Sequence, residues 1–271
     1  MEADFLMKKD GHMHTPYCPH GTKDSFHLYI ERAISSGFEE ITFTEHAPLP
    51  LGFIDPTPDQ DSGMNMHHLE SYISELQKLK KEYNKDIVIS IGLEVDFISG
   101  YEHNITTFLN TYGKYLDDSI LSVHFLKFEN DYVCIDFSKT IFAEFVERLG
   151  NPTSVYKLYY KTLLDSITSN LGNYKPKRIG HVTLVHKFQH TLTEVVQDHE
   201  DIITVLNAIK QHRLELDVNT AGLAKPYCLE TYPPLPYIKL AKELEIPLVF
   251  GSDAHQAQDL HQFYNKIKNL L

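Results

Sequence analysis

Three histidines and an aspartate fall within eleven residues near the start of the chain, in Asp10-Gly11-His12-Met13-His14-Thr15-Pro16-Tyr17-Cys18-Pro19-His20. In an extended strand, residues i and i+2 point to the same face, so His12 and His14 can present two imidazoles to one point. Imidazole is the commonest metal-binding side chain near neutral pH. A tag remnant would be a contiguous histidine run outside the folded pattern, and this stretch is not one. Metal binding is the chemistry these types and spacings suit, provided the rest of the chain brings further ligands to the same place.

The elements that must do so are short β-rich runs alternating with longer helical segments, a pattern of α/β architecture with a mainly parallel sheet. Seven strands are expected near 9–14, 40–45, 87–94, 119–124, 178–181, 214–218 and 247–251. Helical periodicity falls at 24–36, 66–83, 154–171, 192–212, 236–244 and 256–270. Two segments break the alternation. Residues 47–65 carry four prolines and two glycines, too long for an ordinary βα connection. Residues 125–151 form a second insertion, with 132–137 as a short extra strand. No low-complexity linker interrupts the chain, so 1–271 reads as one domain. Seven βα units closing on themselves give a barrel with one unit fewer than the eight-fold form; a doubly wound open sheet is the alternative.

The acids and histidines sit where those strands end. Strand one ends in His12 and His14, strand two in Glu45-His46, and strand three in Glu94 with Asp96 soon after. Strand four ends in His124, strand five in His181, and strand seven in Ser252-Asp253-Ala254-His255. In a parallel barrel these carboxyl ends meet at one mouth, where such folds place their chemistry. Gathering carboxylates and imidazoles there is costly without compensating charge, and divalent cations supply it. Mixed nitrogen and oxygen ligation without thiolate admits zinc, iron or manganese. His27, His67, His68, His103, His186, His190, His199, His212 and His261 read instead as structural or solvated, the last on a helix surface.

Composition narrows the partners. A formal charge of −12, with only Arg32, Arg148, Arg178 and Arg213 as arginines, argues against a nucleic-acid backbone. Three widely spaced cysteines suit reduced thiols in the cytoplasm and give no disulfide framework. Neither a signal-like apolar segment nor an apolar run near the length of a membrane span is present, so no membrane role is expected.

Asp10–His14 as DxHxH, Thr44-Glu45-His46, Gly92-Leu93-Glu94, Ser122-Val123-His124, Gly180-His181 and Gly251-Ser252-Asp253-Ala254-His255 together resemble the polymerase-and-histidinol-phosphatase (PHP) metallophosphoesterases. The resemblance implies a distorted (β/α)7 TIM-like barrel holding two to three divalent transition-metal ions. It implies one ion on His12, His14, Glu94 and Asp253, a second on Glu94, His124 and His181, and a third on His20, His46 and His255. Pro19-His20-Gly21, Glu45-His46-Ala47-Pro48, Asp117-Asp118-Ser119-Ile120 and Asp217-Val218-Asn219-Thr220-Ala221-Gly222-Leu223 look like the histidinol-phosphatase branch. That branch implies hydrolysis of a small phosphate monoester, L-histidinol phosphate, by a metal-activated water. Asp253 or His255 would manage the proton. Lys225, Lys187 and Arg178 are expected as phosphate contacts, and Asp10 as a residue orienting a ligand imidazole. The acidic loop residues Asp55, Asp59 and Asp61 could face a cationic substrate. A phosphodiesterase of nucleic acid, another small-ester phosphatase and a non-enzymatic metal-binding scaffold are the rival readings.

Overall fold

Seven short strands, buried along almost their whole length, lie side by side in the computed structural model of the chain, which describes residues 8–271. They are β1 (Lys9–Met13), β2 (Glu40–His46), β3 (Val88–Asp96), β4 (Ile120–Ser122), β7 (Arg178–Ile179), β8 (Glu215–Asn219) and β9 (Leu248–Gly251), paired in that order and all parallel. Runs such as Ile89-Ser90-Ile91-Gly92-Leu93 are covered on both faces, as strands of a parallel sheet must be when helices pack outside. The longest register, β2 on β3, runs from Glu40 against Val88 to His46 against Glu94.

The sheet curls until its edges meet. The His14 N–H donates to the Ala254 carbonyl at 2.9 Å and the Asp253 N–H to the His12 carbonyl at 2.8 Å. The fold is therefore a nearly closed seven-stranded α/β barrel, not an open doubly wound sheet, and its seam is sewn by residues of the expected site.

At the opposite, amino-terminal end an ionic layer closes the floor. Arg178 is fully buried and donates to Asp118 at 2.6 Å, while Lys9 reaches Asp118 at 3.2 Å and Glu40 at 2.9 Å. Gly11 makes room for this, since a Cβ there would lie 2.0 Å from Nη1 of Arg178. Arg178, expected as a phosphate contact, is thus spent on the floor. Its side chain leaves the strand at the end remote from the mouth.

The helices follow their caps. Ser25 caps α1 (Phe26–Ser35), which buries Phe26, Tyr29, Ile30 and Ala33. A single 3₁₀ turn at Met66–His68 leads into α2 (Leu69–Glu82). Ser138 caps α4 (Lys139–Leu149), left-handed Gly150 ends it, and Asn151 caps α5 (Pro152–Thr168) with proline in its first turn. Helix α3 (Glu102–Tyr112) and α4 were not expected from the sequence, α6 (His199–Gln211) starts later than periodicity suggests, and α7 (Leu235–Glu243) falls where expected. The helix expected over 256–270 is reduced to a 3₁₀ turn at Ala257–Asp259 and the short α8 (Tyr264–Ile267). His261 accounts for that break. It takes a left-handed backbone, stacks on Phe38 with centroids 3.4 Å apart and binds Asp10, so it is an interior residue and not a helix-surface one.

The second insertion is a hairpin, β5 (Phe125–Phe128) and β6 (Asp131–Cys134), paired antiparallel, followed by α4. The loop 47–65 folds over it through Phe53, whose ring meets Phe125, Tyr101 and Tyr132 edge-on at 5.0–5.3 Å. Among the described residues no helix is long and apolar enough to cross a membrane.

Candidate metal centre

Glu94, near the end of β3, is the hub of the mouth. Its Oε1 accepts from Ser122 at 2.7 Å and faces Nε2 of His181 at 2.8 Å and of His124 at 3.8 Å. Its Oε2 faces His46 at 3.1 Å, His12 at 3.5 Å and His14 at 3.6 Å. Asp253 supplies a second centre, with Oδ1 3.1 Å from His14 and 3.6 Å from both His12 and His255. Its backbone is held in the left-handed region at φ 51° by the bond to His12, a strained conformation of the kind that turns side chains into functional sites.

The strand ends, and for His20 the turn after β1, bring all nine expected ligand residues to this mouth. His12, His14 and Asp253 form one group positioned to bind an ion, and Glu94, His124 and His181 a second. His46 and His255 form a third with His14 and the buried thiol of Cys18, a cysteine not expected at the site. His20 stands on the solvent side of that group, its ring 5.0 Å from His46 and 5.2 Å from His255, with Nδ1 3.0 Å from the Asp61 carbonyl.

Several imidazoles are aimed from behind. Asp217 holds Nδ1 of His12 at 2.9 Å, Glu45 that of His14 at 3.2 Å, and Asp96 that of His124 at 2.7 Å. Each turns Nε2 of its histidine toward Glu94 or Asp253, the arrangement in which an outer carboxylate fixes a ligand tautomer. Sequence reasoning did not give these roles to Asp217, Glu45 or Asp96. The two-residue period could have found Asp96, which shares a strand face with Glu94. Asp10 departs from its expected role. It accepts from the backbone of Ser252 at 3.0 Å and His12 at 3.3 Å and binds the ring of His261 at 2.9 Å, bracing the seam and no ligand imidazole.

The donor set fits a cation. Nε2 of His12 and Nδ1 of His46 are buried, face Glu94, and have no hydrogen-bond partner among the described residues. Such orphaned nitrogens are rare unless something else occupies their lone pairs. The electrostatics agree. Burial opposes ionisation of Glu94 and Asp253, yet His12 and its neighbours hold both far below the carboxylate range. Burial would also discharge His14 and His124, but Asp253 and Glu45 push the former up to about 9 and Asp96 the latter to about 10. Burial, together with crowding by His14, drives His46 and His255 well below the ordinary imidazole value. Without metal, imidazolium charge on residues such as His14 and His124 balances the ionised carboxylates; bound cations can take over that task.

Above this set opens a cavity of about 460 Å³. Lys187 and Lys225 line it, as do Asp61 and Asp259. Asp55, expected to face a cationic substrate, instead turns into its own loop and accepts from Thr57 and Ser62. Buried charge, an open mouth and lysines at its wall suit a small anionic molecule held against metal.

The family described as PHP domain matches residues 10–221. The histidinol-phosphatase of Bacillus subtilis (strain 168) is 50% identical over 96% of this chain and 97% of its own length. The crystal structure of a candidate histidinol phosphatase, hisK, from Listeria monocytogenes superposes with a TM-score of 0.91 at 40% identity, covering 96% of this chain and 99% of that one. The histidinol phosphate phosphatase of Lactococcus lactis subsp. lactis Il1403, solved with zinc, L-histidinol and phosphate, shares the fold at a TM-score of 0.72 and 23% identity, covering 97% and 94%.

Proposed function

The chain belongs to the PHP-domain family, and from that premise we propose that it is a metal-dependent histidinol-phosphatase, hydrolysing L-histidinol phosphate to L-histidinol and phosphate. One observation carries the reading: ligand side chains from the ends of β1, β2, β4 and β7 converge on Glu94 of β3, with buried nitrogens that have no hydrogen-bond partner among the described residues, below a cavity sized for a small ester. The relative from Bacillus subtilis supports the substrate through its identity along nearly the whole chain. Residues 1–271 act as one phosphoesterase domain in this reading, although 1–7 lie outside the described residues.

His12, His14, Glu94 and Asp253 would hold one ion, Glu94, His124 and His181 a second, and His20, His46 and His255 a third. Zinc, iron or manganese fits these ligands. When bound, two to three such ions would supply Lewis acidity, lowering the pKa of a water and neutralising charge on the phosphoryl group. The chain's own groups do the rest. Lys187 and Lys225 offer ammonium donors to phosphate oxygens at the cavity wall. Asp253 and His255, 3.6 Å apart, manage the proton lost by the attacking water and the one gained by the departing alkoxide. Asp61 and Asp259 give the outer cavity an acidic side for a substrate whose organic part is cationic. A charge of −12 disfavours nucleic acid and anionic membranes as partners and leaves a small molecule as the partner, while three widely spaced free cysteines suit the cytoplasm.

Histidinol phosphate and single-stranded DNA should be assayed side by side on native, chelated and metal-reconstituted protein. Turnover of the ester alone is expected, lost on chelation, restored by metal, and absent in His14→Ala. Full activity of a metal-stripped sample, or faster cleavage of DNA, would overturn the reading. Metal uptake without turnover on any phosphoester would favour a scaffold.

A further inference from the structure

The hairpin β5–β6 lies outside the barrel sheet, yet it delivers one charged side chain to the mouth. Past Cys134 the chain stays beside the barrel, the Ile135 N–H donating to the His124 carbonyl at 3.0 Å. The next residue, Asp136, lines the cavity opposite Lys187, which sits in the turn after β7. Nζ of Lys187 donates to Oδ2 of Asp136 at 2.8 Å, and Oδ1 accepts from Cys134. Both side chains of the pair are about four-fifths buried.

We propose that Asp136 is a positioning residue for phosphate recognition, holding the Lys187 ammonium at the wall of the cavity so that its remaining N–H donors face the phosphoryl oxygens. This rests on the phosphate role given above to Lys187.

The physical case is one of donors and freedom. An ammonium carries three N–H groups on a flexible four-carbon stem. Asp136 takes one and leaves two. Lysine loses side-chain entropy when fixed, so a lysine already ordered by Asp136 meets the phosphate with that cost met. The pair also keeps the ammonium charged: burial opposes its charge, but Asp136 raises the Lys187 pKa overall. Asp136 itself is driven below its ordinary value against the effect of burial, with Lys187 the leading cause. The hairpin is in turn anchored by Phe53 and Tyr101 around Tyr132 and by Ile98 against Phe125 and Cys134. Asp136 is therefore presented from a braced element.

Charge alone predicts the opposite result, which makes the proposal sharp. A carboxylate near a phosphate repels it, so if Asp136 were only a local negative charge its removal would tighten phosphate binding. The test uses the metal-reconstituted full chain, with inorganic phosphate as competitive inhibitor and, separately, as titrant in calorimetry. Asp136→Ala is expected to raise both KM for the ester and Ki for phosphate about tenfold, with kcat changed less than about threefold. Lys187→Ala should do the same, and the double variant should be no worse than Lys187→Ala alone. The isosteric Asp136→Asn repeats the measurement should the alanine variant not fold. Tighter phosphate binding in either Asp136 variant, or effects that multiply in the double variant, would overturn the proposal. Failure of the proposed function would appear differently, as no ester turnover by the unsubstituted protein, and the calorimetric titration would still judge Asp136.

Discussion

Asp217 lies behind the metal centre, fully buried, and among the described residues the hydrogen-bond partner of its Oδ2 is Nδ1 of His12. Its consequence is nevertheless direct, because it decides which nitrogen of His12 is free. Asp217→Asn can present an amide N–H where an acceptor is required, favouring the wrong tautomer. Losses of 10–100-fold in metal affinity are typical when such an outer carboxylate is removed. We expect a loss on the order of tenfold or more in zinc affinity, read by competition with a chelating dye, with the fold retained by circular dichroism. Unchanged affinity would show that Asp217 does not set the His12 tautomer. Gly251 belongs to the same arrangement. A Cβ there would lie 2.5 Å from Oδ1 of Asp217 and 2.7 Å from Cβ of His12, so any larger residue would push carboxylate and imidazole apart.

Among the elements, the turn at Leu184–Thr191 between β7 and α6 is tied down by a buried ionic cluster. His186 binds Asp198 through Nε2 at 2.7 Å and Glu230 through Nδ1 at 2.6 Å, and Tyr160 donates to Asp198 at 2.5 Å. This joins the turn bearing Lys187 to the segment that follows Lys225 and to helices α5 and α6. Burial would lower the His186 pKa, but the two carboxylates raise it to about 9. A raised imidazole stabilises the fold fully below its unfolded value, near 6.5, and loses that contribution as pH rises through about 9. Melting temperature in metal-free protein should therefore fall between pH 6.5 and 9 more steeply than in His186→Gln, which should itself melt lower at pH 6.5. Parallel curves would remove His186 from the linkage. The sequence alone made the barrel strands legible because six of the seven apolar runs stop at a His, Asp or Glu. It hid α3, whose buried face is little more than Ile105 and Leu109, and α4, because 125–151 reads as one insertion although Phe142 and Phe145 and the Ser138 and Gly150 caps were present. The tail at 256–270 has helical spacing, but the packing of His261 on Phe38 and Asp10 overrides it. Eight of the nine proposed ligand residues could be placed near one mouth from sequence because strand ends are fixed by short-range pattern. The partners of Asp10, Arg178 and Lys187 could not, because they depend on which residues from distant strands share a layer.

At the scale of the whole molecule, the layer of Arg178, Asp118, Lys9 and Glu40 closes the barrel at the end away from the metal centre. The cavity is thus a blind alley, and everything that enters must back out the way it came. In the proposed reaction the phosphoryl group is driven deepest, against the ions, while the alcohol stays near the entrance. Traffic is then last in, first out: the alcohol departs, and phosphate follows. Steady-state kinetics should show phosphate as a competitive product inhibitor against the ester and L-histidinol as a noncompetitive one. The reverse pattern would require a second exit. A sealed floor in this way imposes a queue on the products.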